Sequence, residues 1–86
     1  MIKDETTRAE LKDISRDLYA IGQRIRALST KIALNESSKD GDEIFNVGSY
    51  VGSQIATIAQ TAGFSITIDG DDMTFEDWND DEFINA

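Results

Sequence analysis

Five of the eight basic side chains, Arg8, Lys12, Arg16, Arg24 and Arg26, fall within RAELKDISRDLYAIGQRIRAL, although the chain as a whole has a formal net charge of -9. At 3.6 residues per turn, Arg8, Lys12, Arg16, Tyr19, Gln23 and Arg26 fall on one side of a helix that carries no acid. Arg8, Lys12 and Arg16 are like charges at i, i+4 spacing, which weakens an isolated helix by roughly 0.2–0.5 kcal/mol per pair. An anion is therefore expected to compensate.

Guanidinium groups bind phosphate through paired hydrogen bonds, and a phenol ring can stack on a base. Arg8, Lys12, Arg16 and Arg26 are thus candidate phosphate ligands, Tyr19 a candidate base platform, and Tyr50 a second platform from a neighbouring helix. Tyr50 and Phe45 also fit a core or interface role. The competing reading of the stripe is a solvated face, or one that docks the acids Asp69, Asp71, Asp72, Glu76, Asp77, Asp80, Asp81 and Glu82, in cis or from another subunit. Nucleic acid ranks last, because eight acids within fourteen residues repel its backbone.

Other chemistry is thin. The chain has no Cys, His or Pro, which excludes disulfides, thiolate and imidazole metal sites, and catalysis by those side chains. DGDD at 69–72 lacks the ligand spacing of a calcium loop and reads as an acidic turn. Asp80 and Asp81 are adjacent acids in a tail that reads as exposed, and no acid–base role is expected of them. Ser15, Ser29, Ser49 and Ser53 have no activating base and read as packing residues. The expectation is a binding protein rather than an enzyme, with no catalytic residue, metal or cofactor.

These side chains need elements to position them, and the apolar pattern supplies the first. Leu11, Ile14, Leu18, Ile21, Ile25, Leu28 and Ile32 are spaced as a heptad seam. The pattern predicts a helix from about residue 7 to about residue 33, capped by Thr6 or Thr7 with Glu10 closing a capping box, and ended by the polar loop NESSKDGD. Ser15, Gly22 and Ser29 recur beside the seam. A mid-helix Gly costs about 1 kcal/mol relative to Ala, which implies close approach of another backbone at Gly22.

Ile44, Val47, Val51, Ile55, Ile58 and Ala62 mark a second amphipathic helix from Asp40 or Asp42, with Gly48, Gly52 and Ala56 forming a flat face and Gly63 as its stop. A short connection makes the two helices an antiparallel hairpin. FSITIDGDDMTF alternates as a β-hairpin about a DG turn. EDWNDDEFINA is either an ordered arm with Trp78, Phe83 and Ile84 packed on a neighbour or a disordered tail. The expected fold is mainly α: a helical hairpin over 1–63, with a β-hairpin and acidic arm over 64–86 in the same small domain.

A core of 86 residues is marginal alone, so a homo-oligomer is expected. No signal peptide or membrane span is apparent, and a cytoplasmic location, with no membrane partner, follows as an expectation. Residues 1–39 hold all eight basic residues and six acids, whereas 40–86 hold eleven acids and no base.

The segments LKDISRDLYAIGQRIRALS and EIFNVGSYVGSQIATIAQ, joined by a polar loop, resemble the helical-hairpin domain of phage anti-CBASS and anti-Thoeris sponge proteins over roughly residues 7–62. The resemblance lies in a helix of L-x-x-I-x-x-x-L-Y-x-I-G-x-x-I type followed by a helix rich in small residues. It implies a phage immune-evasion protein in the infected host cytoplasm, binding cyclic oligonucleotides or cyclic ADP-ribose isomers between subunits without cleaving them. The extension after Gly63 departs from the pattern. The alternative is an acidic DNA mimic or protein inhibitor, in which Asp69 to Glu82 blocks a nucleic-acid-binding host defence enzyme.

Overall fold

The computed structural model describes residues 1–78; of the arm expected over residues 76–86, Glu76 and Asp77 belong to a strand and residues 79–86 lie outside the described residues. Helix α1 spans Glu5–Asn35 and α2 spans Ser38–Ala62; strands β1, Phe64–Asp69, and β2, Asp72–Asp77, follow. The mainly helical fold with a terminal β-hairpin is as the periodicity predicts. Among the described residues no helix is long and apolar enough to cross a membrane.

Both helices are longer than expected, and the caps explain why. Asp4, rather than Thr6 or Thr7, starts α1: its Oδ2 accepts from the Thr7 amide at 2.9 Å and from the Thr7 hydroxyl at 2.6 Å. A carboxylate at this position meets the positive end of the helix dipole as well as an unpaired amide. Ser37 starts α2 by accepting from the Asp40 amide at 3.3 Å. The connection is therefore Glu36 and Ser37 alone, and most of the expected loop is helical.

The described residues divide into two compact units, Met1–Arg16 with the described residues from Ala56 onward, and Asp17–Ile55. The first centres on Ala59, Ala62 and Phe64, against which Ile2, Leu11, Ile58, Ile66 and Phe75 pack. Burying a side chain such as Phe64, with no exposed surface, contributes about 1.5–3 kcal/mol. Gly63 ends α2 at φ +89°, and its amide donates to the Ala59 carbonyl at 2.8 Å, the geometry of a left-handed cap.

Strands β1 and β2 pair antiparallel with Phe64 opposite Asp77, Ile66 opposite Phe75 and Ile68 opposite Met73. Alternation along a strand puts these six residues on one face; Ser65, Thr67, Asp69, Asp72, Thr74 and Glu76 form the other. Gly70, at φ +63° and first of the two turn residues, fits a type II′ turn.

In the Asp17–Ile55 unit the most tightly enclosed glycine is Gly41, where a Cβ would sit 2.6 Å from Ala33 Cβ and 2.8 Å from the Ser29 carbonyl. At Gly22 the approach is looser: a Cβ there would sit 3.7 Å from Val51 Cγ1 and 3.9 Å from the Gly48 carbonyl. Gly52 faces open space, so the expected flat face does not extend through it.

The heptad seam splits. Its deepest row on α1 is Ser15, Gly22 and Ser29, all buried; the Ser15 and Ser29 hydroxyls donate to the Leu11 and Arg26 carbonyls at 2.8 and 2.7 Å. Leu11, Leu18, Ile25 and Ile32 are half-buried. Ile14, Ile21 and Leu28 are 45%, 45% and 54% exposed, unlike core residues.

Candidate functional site

The N-terminal end of the basic stripe belongs to the fold of the first unit. Arg8 is only 7% exposed. Its Nη1 donates to the Ile2 carbonyl at 2.8 Å and to the Ala62 carbonyl, while Nη2 donates to the Gly63 carbonyl at 3.0 Å and to Asp77 Oδ1 at 2.7 Å. A guanidinium offers five donors, and four contacts join the N-terminal segment, the end of α2 and the end of β2. The carbonyls exposed by the end of α2 are those a nearby cation satisfies best.

Lys12 shares the same carboxylate, with Nζ 2.8 Å from Asp77 Oδ1. It also stands 5.7 Å from the Phe64 ring centroid and 6.0 Å from that of Phe75, rings that meet edge to face at 5.2 Å. Arg16 lies 4.7 Å over the Phe75 ring and pairs with Asp13 at 3.0 Å. The hydrogen bond from Lys12, then that from Arg8, holds the Asp77 carboxyl below the ordinary value of 3.8 against the opposing effect of burial. Two cations on one carboxylate therefore keep it charged.

In the Asp17–Ile55 unit the stripe has a different character. Gln23 Nε2 donates to the Tyr19 hydroxyl at 3.1 Å, and the Arg26 guanidinium stands 5.7 Å over the Phe45 ring. Tyr19 is half-buried, Gln23 and Arg26 are exposed, and Arg26 forms no ion pair among the described residues. A cation on a ring face is worth about 0.5–1 kcal/mol at an exposed site, and it leaves the guanidinium edge open for an anion. Tyr50 is 65% exposed; five residues past Phe45 it lies about 140° around α2, so the two rings do not share a face.

No protein-family model matches the chain, and neither curated proteins nor solved structures give a match.

The six candidates thus separate into Arg8, Lys12 and Arg16 at the Asp77–Phe75 cluster, Tyr19 and Arg26 in the other unit, and Tyr50 on a face of its own. Gln23 and Phe45 join Tyr19 and Arg26, and neither stands out as a ligand residue in the sequence. Gln23 is legible from its i+4 spacing to Tyr19. Phe45 becomes legible once the helix connection is shortened to Glu36 and Ser37, because the two-residue turn sets which residue of α2 faces Arg26. A concavity of about 580 Å³ lies elsewhere on α1, lined by Ile21, Arg24, Ile25, Ala27, Leu28 and Lys31, and contains none of the six. No cluster of His, Cys, Asp or Glu among the described residues is arranged to hold a metal ion.

Proposed function

We propose that the chain is a helical-hairpin sponge that binds and sequesters a phosphorylated, base-bearing small molecule, a cyclic oligonucleotide or a cyclic ADP-ribose isomer, without cleaving it. The observation that carries this reading is Arg26, an exposed guanidinium backed by the Phe45 ring and paired with no carboxylate among the described residues. Arg26 takes a phosphate through its open edge, and Tyr19, its hydroxyl held by Gln23, presents a ring for a base. Arg8 and Lys12 drop out of the direct contacts, since both are already engaged with Asp77 and Arg8 is buried. Arg16 and Tyr50 remain as contacts supplied when several copies assemble, and the role is immune evasion in an infected host cell. Titration calorimetry of the intact chain against cyclic di- and trinucleotides and cyclic ADP-ribose isomers tests the reading; heat with at least one is expected, and none with any sinks it.

A second reading has its own support. The outer face of the β-hairpin carries Asp69, Asp72 and Glu76, all exposed, with Asp71 in the turn. Asp69 sits directly opposite Asp72, a like-charge pairing that costs stability and suits a surface that imitates phosphates. In this reading the protein displaces DNA from a nucleic-acid-binding host defence enzyme, and the combined Asp69→Asn, Asp72→Asn and Glu76→Gln variant does not. Equal displacement by both proteins rejects the mimic.

A further inference from the structure

Helix α1 carries a row that neither reading uses. Glu10, Asp17, Arg24 and Lys31 recur every seventh residue and are all exposed, and none forms an ion pair among the described residues. The row is acidic in its first half and basic in its second. Beside it runs the exposed apolar row Ile14, Ile21 and Leu28, also at sevens, and about 21 Å long at 1.5 Å per residue. The 580 Å³ groove sits on this flank, lined by Ile21 and Leu28 between Arg24 and Lys31.

We infer that this flank of α1 is the contact with a second copy of the chain, packed antiparallel about a two-fold axis close to Ile21. Under that axis Ile21 meets Ile21 of the other copy, and Ile14 meets Leu28. The same axis brings Asp17 beside Arg24 and Glu10 beside Lys31, each pair twice. A parallel pairing would instead carry the two copies of this row to opposite sides of the contact and leave every charge without its partner, so charge fixes the direction as flanking charges do in coiled coils. Both rows are symmetric about almost the same point of the helix, which makes the surface self-complementary, the property a two-fold contact requires. The apolar row gives the burial that a single 86-residue chain leaves undone. This contact does not depend on what ligand is bound.

The chain lacks cysteine, so single introduced thiols test the geometry directly. In the intact protein under mild oxidation, Ile21→Cys should link to itself rapidly. Leu28→Cys should link poorly to itself but readily to Ile14→Cys when the two are mixed. Leu34→Cys, at an exposed position away from the row, sets the rate of random collision. Self-linking of Leu28→Cys as fast as that of Ile21→Cys would establish a parallel pairing and overturn the proposal, as would rates no faster than Leu34→Cys throughout. Charge exchange gives a second readout by sedimentation. The Glu10→Lys, Asp17→Lys protein and the Arg24→Glu, Lys31→Glu protein should each dissociate at least tenfold more readily than wild type, and an equal mixture should recover association. Undiminished self-association of either variant, or no recovery on mixing, contradicts the pairing.

Discussion

Asp77 lies directly across the hairpin from Phe64, so a carboxylate ends a strand face that is otherwise Phe64, Ile66, Ile68, Met73 and Phe75. That register aims it at Arg8 and Lys12, 2.7 and 2.8 Å away. The acidic half of the chain thereby neutralises part of the basic stripe, and the part it does not reach is the part open to a ligand.

Removing the Arg8 guanidinium should be the most damaging single change in the first unit. Arg8→Met leaves the Ala62 and Gly63 carbonyls without this donor and Asp77 with Lys12 alone, for a cost of about 3 kcal/mol or more. Lys12→Met should cost less, about 1 kcal/mol, because Lys12 contacts only the half-exposed carboxylate and the ring faces. Urea unfolding of the two variants checks the order.

Asp77 also sets a pH dependence. Its carboxyl titrates lower in the folded chain than its ordinary value of 3.8, so its contribution is fully present above that value and is lost as pH falls through the folded pKa. Asp4, lowered by its hydrogen bonds from the Thr7 hydroxyl and amide, acts with the same sign. The melting-temperature gap between wild type and Asp77→Asn should therefore be full at about pH 6 and shrink towards about pH 2. A gap that stays constant across that range would show that the carboxylate charge is not what stabilises the hairpin.

Two glycines of the Asp17–Ile55 unit should respond in opposite directions to alanine. Gly22→Ala places a methyl at ordinary contact distance from Val51 and should gain up to about 1 kcal/mol of helix propensity. Gly41→Ala drives one against Ala33 and the Ser29 carbonyl and should lose about 1–3 kcal/mol. Thermal melts of both variants decide it.

The helix start offers a smaller effect. Asp4→Ala removes both bonds to Thr7 and should lower the melting temperature in the same melts, whereas Thr6→Ala should change little.

Periodicity makes the two helices and the β-hairpin legible, because each has its own repeat: three-and-four spacing in α1 and α2, alternation from Phe64 to Phe75. The Gly63 stop is legible for the same local reason. The short connection is not, since NESSKDGD is polar and turn-rich while its Ser37 hydroxyl and the residues after it in fact open a helix. That two-residue turn governs which residues of α1 and α2 face each other, and so the pairing of Arg26 with Phe45 is hidden too. The heptad seam is visible but not its division into a half-buried row and an exposed one, which depends on Ser15, Gly22 and Ser29 facing inward. The carboxylate that meets Arg8 is one of the acids after Gly63, and only the strand register singles out Asp77.

The division of the stripe is tested by calorimetric titration of a cyclic nucleotide that binds the wild-type chain, repeated on Lys12→Met and Arg26→Ala. Near wild-type affinity is expected for Lys12→Met and at least a tenfold loss, about 1.4 kcal/mol, for Arg26→Ala. Binding lost equally in both variants, or retained in Arg26→Ala, would refute the assignment of the open half of the stripe to the ligand.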